Sequence, residues 1–316
     1  MEVNSFMEWR KSGLKKIIFM LIVLIVGTVH GENITYKKNK KILTSIQAVY
    51  SIAKSLTKDT DIEVYSIFDS DVSMDYGKSA FDNKDLDLSS AKDAVAVVDV
   101  ARVWSNDYLY EYARRKNIRI VEIDASYSFS GNDYLSLSLL NYKNGDRNPY
   151  VWMSFQNVIK MANIVSDDLS ELFPEDSKRI EDNLEKFSQE IKEIENGYLE
   201  KTLDLSSLSV ITLTENLDYL FNDLNIFFNY IDSNELTVEK ISEVMKRNNS
   251  KIFVSDRWIK KEIINEIEKK GGKFIVLDTF NIPRELNEKM DPDGYIKGMK
   301  ENMEKLVEVM KFMDKK

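Results

Sequence analysis

The chain has no cysteine and a single histidine, His30, in 316 residues. Without cysteine it can form no disulfide, no thiolate metal site and no thiol nucleophile, and no signal-peptide cysteine can carry a lipid. It also lacks a G-x-x-x-x-G-K-[ST] loop to cradle phosphates. Basic charge is short as well: 44 Lys and Arg stand against 53 Asp and Glu, a formal net charge of −9. No stretch resembles a basic stripe for a phosphate backbone, which argues against nucleic acid as a partner. With His30 the sole imidazole and no thiol, catalysis has little support. The paired Asp167 and Asp168 have solvent-facing helical spacing, and the chain is not expected to be an enzyme.

What is present is globular: 43% hydrophobic and 31% charged residues, in a length that suits two domains. The start is different. Arg10, Lys11, Lys15 and Lys16 flank the 11-residue run IIFMLIVLIVG, short for a membrane span and suited to a secretory signal. Val29 and Gly31 take the small −3 and −1 positions, so residues 1–31 are expected to be removed before Glu32; the alternative is an uncleaved anchor. Removal takes four basic and two acidic residues, deepens the charge to −11 and leaves no imidazole. An exported, unlipidated chain of this kind is expected in a periplasm, as a monomer.

Two blocks of strand and helix signals follow. KILTSI (41–46), IEVYSIF (62–68), AVAVVDV (94–100) and IRIVEI (118–123) read as strands, with helices at 47–56 and 106–117. LSVITLTEN (208–216), IFFNYI (226–231), KIFVSD (251–256) and KFIVLDTF (273–280) repeat the pattern, with helices at 237–249, 258–270 and from Gly294 to Met313. Short apolar strands spaced by helical segments predict α/β lobes with parallel sheets. Between the blocks lies no Gly/Ser linker. Helical spacing runs from Val151 to about Leu172 and, after Pro174, through Ile180, Leu184, Phe187, Ile191 and Ile194. The expected layout is therefore an N-terminal lobe (32–173), one long connecting helix (174–203) and a C-terminal lobe (204–316).

That order, together with NPYVWMSFQNVIKMANIVSDDLSELFPED, VITLTENLDYLF, IFVSD and FIVLDTF, resembles the cluster A-I substrate-binding proteins of ABC transporters, the zinc and manganese receptors. The resemblance implies two α/β lobes joined by a rigid helix, a metal ion carried between them, and an ABC permease as partner. It also implies four ligand segments. Tyr150 stands where the family's Asp-Pro-His motif has its histidine. Met74 stands at the first ligand position with Asp75 and Tyr76 following, and Thr214 stands at the third with Glu215 beside it. Asp278 keeps the family's residue type.

Each candidate has a second reading. Asp278 is a ligand at a strand's carboxyl end, or a cap for the next turn. Tyr150 binds a hard cation through its oxygen, or packs across the cleft. Met74 offers a soft thioether, or fills an apolar wall. At most one of Thr214 and Glu215 should face the cleft, because neighbours in a strand point opposite ways. Tyr76 and Trp152 would line the cleft, and Trp152, like Trp104 and Trp258, also reads as packing. A site without imidazole or thiolate favours manganese or iron over zinc. The alternatives are a small organic solute on the same scaffold, or an interaction protein that binds no solute.

Overall fold

The computed structural model describes residues 39–68, 71–83, 86, 89–129 and 133–314, so the expected signal peptide lies outside the described residues. From Asn39 onward the chain forms one compact unit. It contains two parallel four-stranded sheets. β1 (Lys41–Thr44), β2 (Glu63–Ser66), β3 (Ala96–Asp99) and β4 (Val121–Asp124) lie in the order β2-β1-β3-β4. β5 (Ser209–Thr212), β6 (Phe227–Tyr230), β7 (Ile252–Ser255) and β8 (Lys273–Val276) repeat it as β6-β5-β7-β8.

The inner strands read as unbroken apolar runs because both faces of a parallel sheet are covered. Alternation still sorts their side chains between two layers. Ile42, Ala96 and Val98 join the main core, whereas Leu43 and Val97 face an outer cluster with Phe68, Phe81 and Leu109. In the second sheet Val210, Ile252 and Val254 face the main core, and Ile211 and Phe253 turn to Ile241, Ile263 and Ile267.

The helices are α1 (Gln47–Leu56), a single turn α2 (Lys78–Phe81), α3 (Leu109–Lys116), α4 (Phe155–Leu172), α5 (Ser177–Thr202), α6 (Asp218–Asp223), α7 (Ile241–Asn248), α8 (Lys261–Lys269) and α9 (Gly294–Asp314). Val151 to Leu172 is not one helix. A 3-10 turn over Val151–Met153 ends at Ser154, whose backbone is extended and whose hydroxyl accepts the Asn157 N–H at 3.1 Å. Ser154 thereby caps α4 and resets its axis.

The 26-residue α5 is the connecting helix. Its buried stripe of Ile180, Phe187, Ile191, Ile194 and Tyr198 packs on α4, α9 and α1. Asn183 lies on the same stripe because its amide donates to Leu56 O (3.0 Å) and Lys58 O (2.7 Å), satisfying carbonyls at the end of α1. The closing helix α9 also packs against α1 and α5, and Tyr295 N–H donates to Ser51 Oγ at 3.3 Å. Gly294 permits this approach: a Cβ there would lie 2.7 Å from the Gln47 side chain at the start of α1. Among the described residues, no helix is long and apolar enough to cross a membrane.

In both sheets the strand order reverses between the first strand and the third, β1/β3 and β5/β7, which opens a crevice at their carboxyl ends. The first crevice is filled by acids. Asp107 is buried and accepts hydrogen bonds from Ser45 Oγ (2.9 Å) and the Val100 N–H (3.3 Å). Buried Asp99 has one oxygen without a partner, and Asp124 accepts the Arg102 N–H at 2.8 Å. Burial pushes the Asp107 carboxyl up to about 6, and burial together with Asp107, Asp124 and Glu122 drives Asp99 well above its ordinary range. Burial also raises Asp124, against its hydrogen bonds from Ser126 and Arg102 and the Arg102 charge.

The folded state thus holds protons that the unfolded chain releases near pH 4. Stability is fullest below that value and falls as pH rises through about 6. For Asp107 alone the loss is about 3 kcal/mol at neutral pH. We expect a higher thermal midpoint at pH 5 than at pH 8, and Asp99→Asn should flatten the difference. A midpoint that rises steadily from pH 5 to pH 8 would contradict this.

Candidate functional site

The second crevice, at the ends of β5 and β7, gathers polar groups from distant parts of the sequence. The turn after β5 is shaped locally. Thr212 Oγ1 donates to Thr214 O at 2.6 Å, and the buried Thr214 hydroxyl accepts the Asn216 N–H at 3.2 Å. A loop from the first half, residues 140–148, is stapled onto this turn. Tyr142 OH donates to Asn216 Oδ1 (2.8 Å), Asn148 Nδ2 to Glu215 O (2.8 Å) and the Lys143 N–H to Glu215 Oε1 (2.7 Å). Gly145, at φ +92°, makes the tight reversal within the loop.

Asn216 then passes the chain of bonds on, donating to Asp256 Oδ2 at 2.7 Å. Asp256 follows β7, its side chain only 3% exposed, and Arg257 Nε lies 3.2 Å from its other oxygen. Arg257 also reaches the first half, with Nη1 3.8 Å from Asp75 Oδ2. Its Asp256 partner pushes the guanidinium pKa up further. The Asp75–Arg257 pair is open to solvent on both sides and contributes little by itself.

Tyr150 faces this group. It is buried, its ring centre is 5.3 Å from that of Trp152, and among the described residues its hydroxyl has no hydrogen-bond partner. Burial raises its pKa strongly, and Tyr142, Asp75 and Asp256 raise it further while Arg257 opposes them. A neutral phenol is therefore the resting form.

The other expected residues are placed apart from it. Asp278 follows the outer strand β8; its Oδ1 accepts the Phe280 N–H at 2.7 Å and its Oδ2 lies 3.5 Å from Arg284 Nη1. Burial raises its pKa, and the charges acting on it are Arg284, Lys305 and Glu301, all outside the Tyr150 group. Phe280 holds φ +62°, a left-handed conformation costing about 1–2 kcal/mol in a non-glycine residue, and the Asp278 bond helps hold it. One Asp278 oxygen thus caps the turn that follows β8.

Met74 is buried beside Phe280 and Asn281 in a small apolar crevice, its N–H donating to Asn281 O at 2.9 Å. Tyr76 is 60% exposed. Trp152 is fully buried and held at both ends: its indole N–H donates to Thr279 O (3.0 Å) and its carbonyl accepts from Tyr295 OH (2.6 Å). Trp152 belongs to the core and not to the cleft lining. Trp258, read as packing, is 76% exposed at the groove beside Asp256.

The structure thus brings Tyr150, Asp75, Thr214 and Glu215 of the expected set to this crevice and adds Asp256, Arg257, Asn216 and Tyr142. The last four were missed. Asp256 ends IFVSD much as Asp278 follows FIVL, so the motifs alone do not rank them. The strand order does, because β7 borders the crevice and β8 lies outside it. Among the described residues, no group of three or more His, Cys, Asp or Glu is placed to hold a metal ion.

Two parallel-sheet lobes spanned by one long helix, with a polar crevice at the strand ends, define a solute-binding receptor architecture. The sequence profile of the ZnuA family, described as zinc-uptake complex component A, periplasmic, matches residues 42–309, and the chain belongs to that family. Its members are substrate-binding components and not enzymes. Among solved structures, it is similar to FpvC of Pseudomonas aeruginosa in complex with Mn2+, with a TM-score of 0.66 at 16% identity, over 87% of this chain and 99% of that one. A ZnuA crystal structure gives 0.65 at 17% identity, over 85% and 98%. The Zn(II)-bound ZnuA-like domain of Streptococcus pneumoniae AdcA gives 0.65 at 18%, over 86% and 99%. At these identities the likeness is one of fold. No curated protein matches the sequence.

Proposed function

We propose that the chain is the exported, periplasmic solute receptor of an ABC importer, a monomer that carries a metal ion between its lobes to a membrane permease. The observation that supports this reading is the Tyr150 side chain, buried against Trp152 and close enough to Asp75 and Asp256 for their charges to act on its hydroxyl. These are oxygen donors, suited to a hard cation such as manganese or iron and less suited to zinc, whose usual protein ligands include nitrogen and sulfur. Asp256 takes the carboxylate role that the resemblance implied for Asp278. Thr214 and Glu215 shape the wall on the β5 side of the ion, and Met74 lies apart from it.

Ion entry requires Arg257 to leave Asp75. That exchange is cheap, since exposed pairs contribute about 0–1 kcal/mol. Tyr150→Phe keeps the ring against Trp152 and removes only the oxygen. We expect it to weaken manganese or iron binding at least about tenfold by calorimetry, roughly 1.4 kcal/mol, with an unchanged thermal midpoint. Parental affinity in Tyr150→Phe would remove the phenol from the site. Tight, stoichiometric zinc in the parent, measured by elemental analysis after chelator-free purification, would overturn the preference for a hard cation.

A further inference from the structure

Asp75 and Asp256 come from different halves of the chain, yet both have the same ion-pair partner, Arg257. Among the described residues neither acid has a second one. Local bonds place all three. The buried Ser255 hydroxyl accepts the Arg257 N–H at 3.3 Å and folds the chain back at the end of β7. The guanidinium then lies along the neighbouring carboxylate, with Nε 3.2 Å from Asp256 Oδ1 and Nη2 3.4 Å from Oδ2.

Asp75 is fixed from the other side. Its N–H donates to Ser73 Oγ at 3.1 Å, and that hydroxyl donates to Asn281 Oδ1 at 3.1 Å. The Met74 N–H adds a bond to Asn281 O at 2.9 Å. The loop carrying Asp75 is thereby tied to the segment after β8, and its carboxylate stands 3.8 Å from Arg257 Nη1.

One cation is therefore already seated among the oxygens that the proposed site would use. Its two pairs are not alike. The Asp75 pair is open to solvent and yields readily. Asp256 is nearly inaccessible, and both of its oxygens are engaged, by the Arg257 fork and by Asn216 Nδ2 at 2.7 Å from Oδ2. The Arg257 charge also acts on the Tyr150 hydroxyl. The nearby Lys143 is directed elsewhere, its ammonium 4.5 Å from the centre of the Tyr230 ring.

Charge counting gives the consequence. Affinity for a hard cation rises with the number of charged ligands. With Arg257 beside them, the two carboxylates present one net negative charge instead of two. We infer that Arg257 is the site's own cation: its guanidinium occupies the place of the transported ion, bridges the two halves in the ion's absence, and sets how tightly the ion is held. The inference rests on the cation reading above and names the residue that tunes it.

The test titrates manganese chloride and ferrous chloride into the metal-free mature chain and into Arg257→Ala, followed by calorimetry. The Arg257 side chain is largely exposed, so its truncation removes the charge at little cost in packing. Arg257→Ala should bind at least about tenfold tighter than the parent, the reverse of what loss of an ion-holding side chain does. Free guanidinium supplies a readout that a merely structural role would not move. At tens of millimolar, guanidinium chloride should weaken ion binding to Arg257→Ala more than sodium chloride at the same concentration does, and the two salts should act alike on the parent. Equal or weaker ion binding in Arg257→Ala would overturn the role of Arg257 and leave the cation reading standing, as would guanidinium acting no differently from sodium on the variant. If neither the parent nor Arg257→Ala binds either ion, the cation reading falls and this inference falls with it.

Discussion

Trp152→Ala should lower the thermal midpoint by roughly 10–15 °C, the largest effect expected of any single side chain here. Trp152 is fully buried where the 3-10 turn before α4 meets the segment after β8 and the start of α9. Truncating a buried tryptophan costs about 3–5 kcal/mol through lost burial and the cavity left behind. The Thr279 carbonyl would also lose its donor, adding about 1–3 kcal/mol. Against a total stability of about 5–15 kcal/mol, that is a large fraction, and for a chain of this size each kcal/mol moves the midpoint by about 2–4 °C. Trp152→Phe separates the contributions, since it keeps an aromatic ring and loses the N–H; a fall of only about 3–5 °C is expected. A Trp152→Ala midpoint within about 2 °C of the parent would mean that the two halves are held together elsewhere.

Elements of this protein were legible in the sequence where a single chain segment decides its own structure. The inner strands announce themselves because burial on both faces demands apolar residues throughout, and the stripe from Ile180 to Ile194 marks α5. Helix ends were less legible because capping decides them. Ser154 divides Val151–Leu172 with one hydroxyl hydrogen bond. The hairpin of β9 (Glu285–Leu286) and β10 (Lys289–Met290) went unnoticed for a related reason. Its two-residue turn needs positive φ at both positions, and Asn287 and Glu288 supply it at +54° and +62° without the glycine that usually signals such a turn.

The site was the least legible, because its contacts join residues far apart in sequence. Tyr142 meets Asn216 across 74 positions, and Asp75 meets Arg257 from the other half of the chain, so neither contact is written in a local segment. Tyr150 was found because its neighbours Pro149 and Trp152 carry a recognisable segment. Asp256 carries no such label. Its importance comes from β7 lying next to β5, which is a property of the strand order and not of the residues IFVSD.

The two strand-end aspartates give the sharpest expected result, a double dissociation between affinity and stability. Asp256→Asn preserves size and can still accept a hydrogen bond from Asn216, while removing the charge beside Tyr150. Losing a partner that merely orients a ligand typically costs 10–100-fold in metal affinity, so losing the carboxylate itself should cost at least about 30-fold. The thermal midpoint should stay within about 2 °C. Asp278→Ala should do the reverse. It strips the acceptor from the Phe280 N–H, where the backbone sits at φ +62°, and frees Arg284 from one of its acidic neighbours. A buried donor left unpaired costs about 1–3 kcal/mol, which predicts a midpoint lower by about 3–8 °C. Ion affinity, read by calorimetry on the folded protein, should change less than about threefold, because Asp278 makes no contact with Tyr150, Asp75 or Asp256. If instead Asp278→Ala abolishes binding while Asp256→Asn leaves it intact, the ion lies at the end of β8, Arg284 must release Asp278 to admit it, and the crevice between β5 and β7 is not the site.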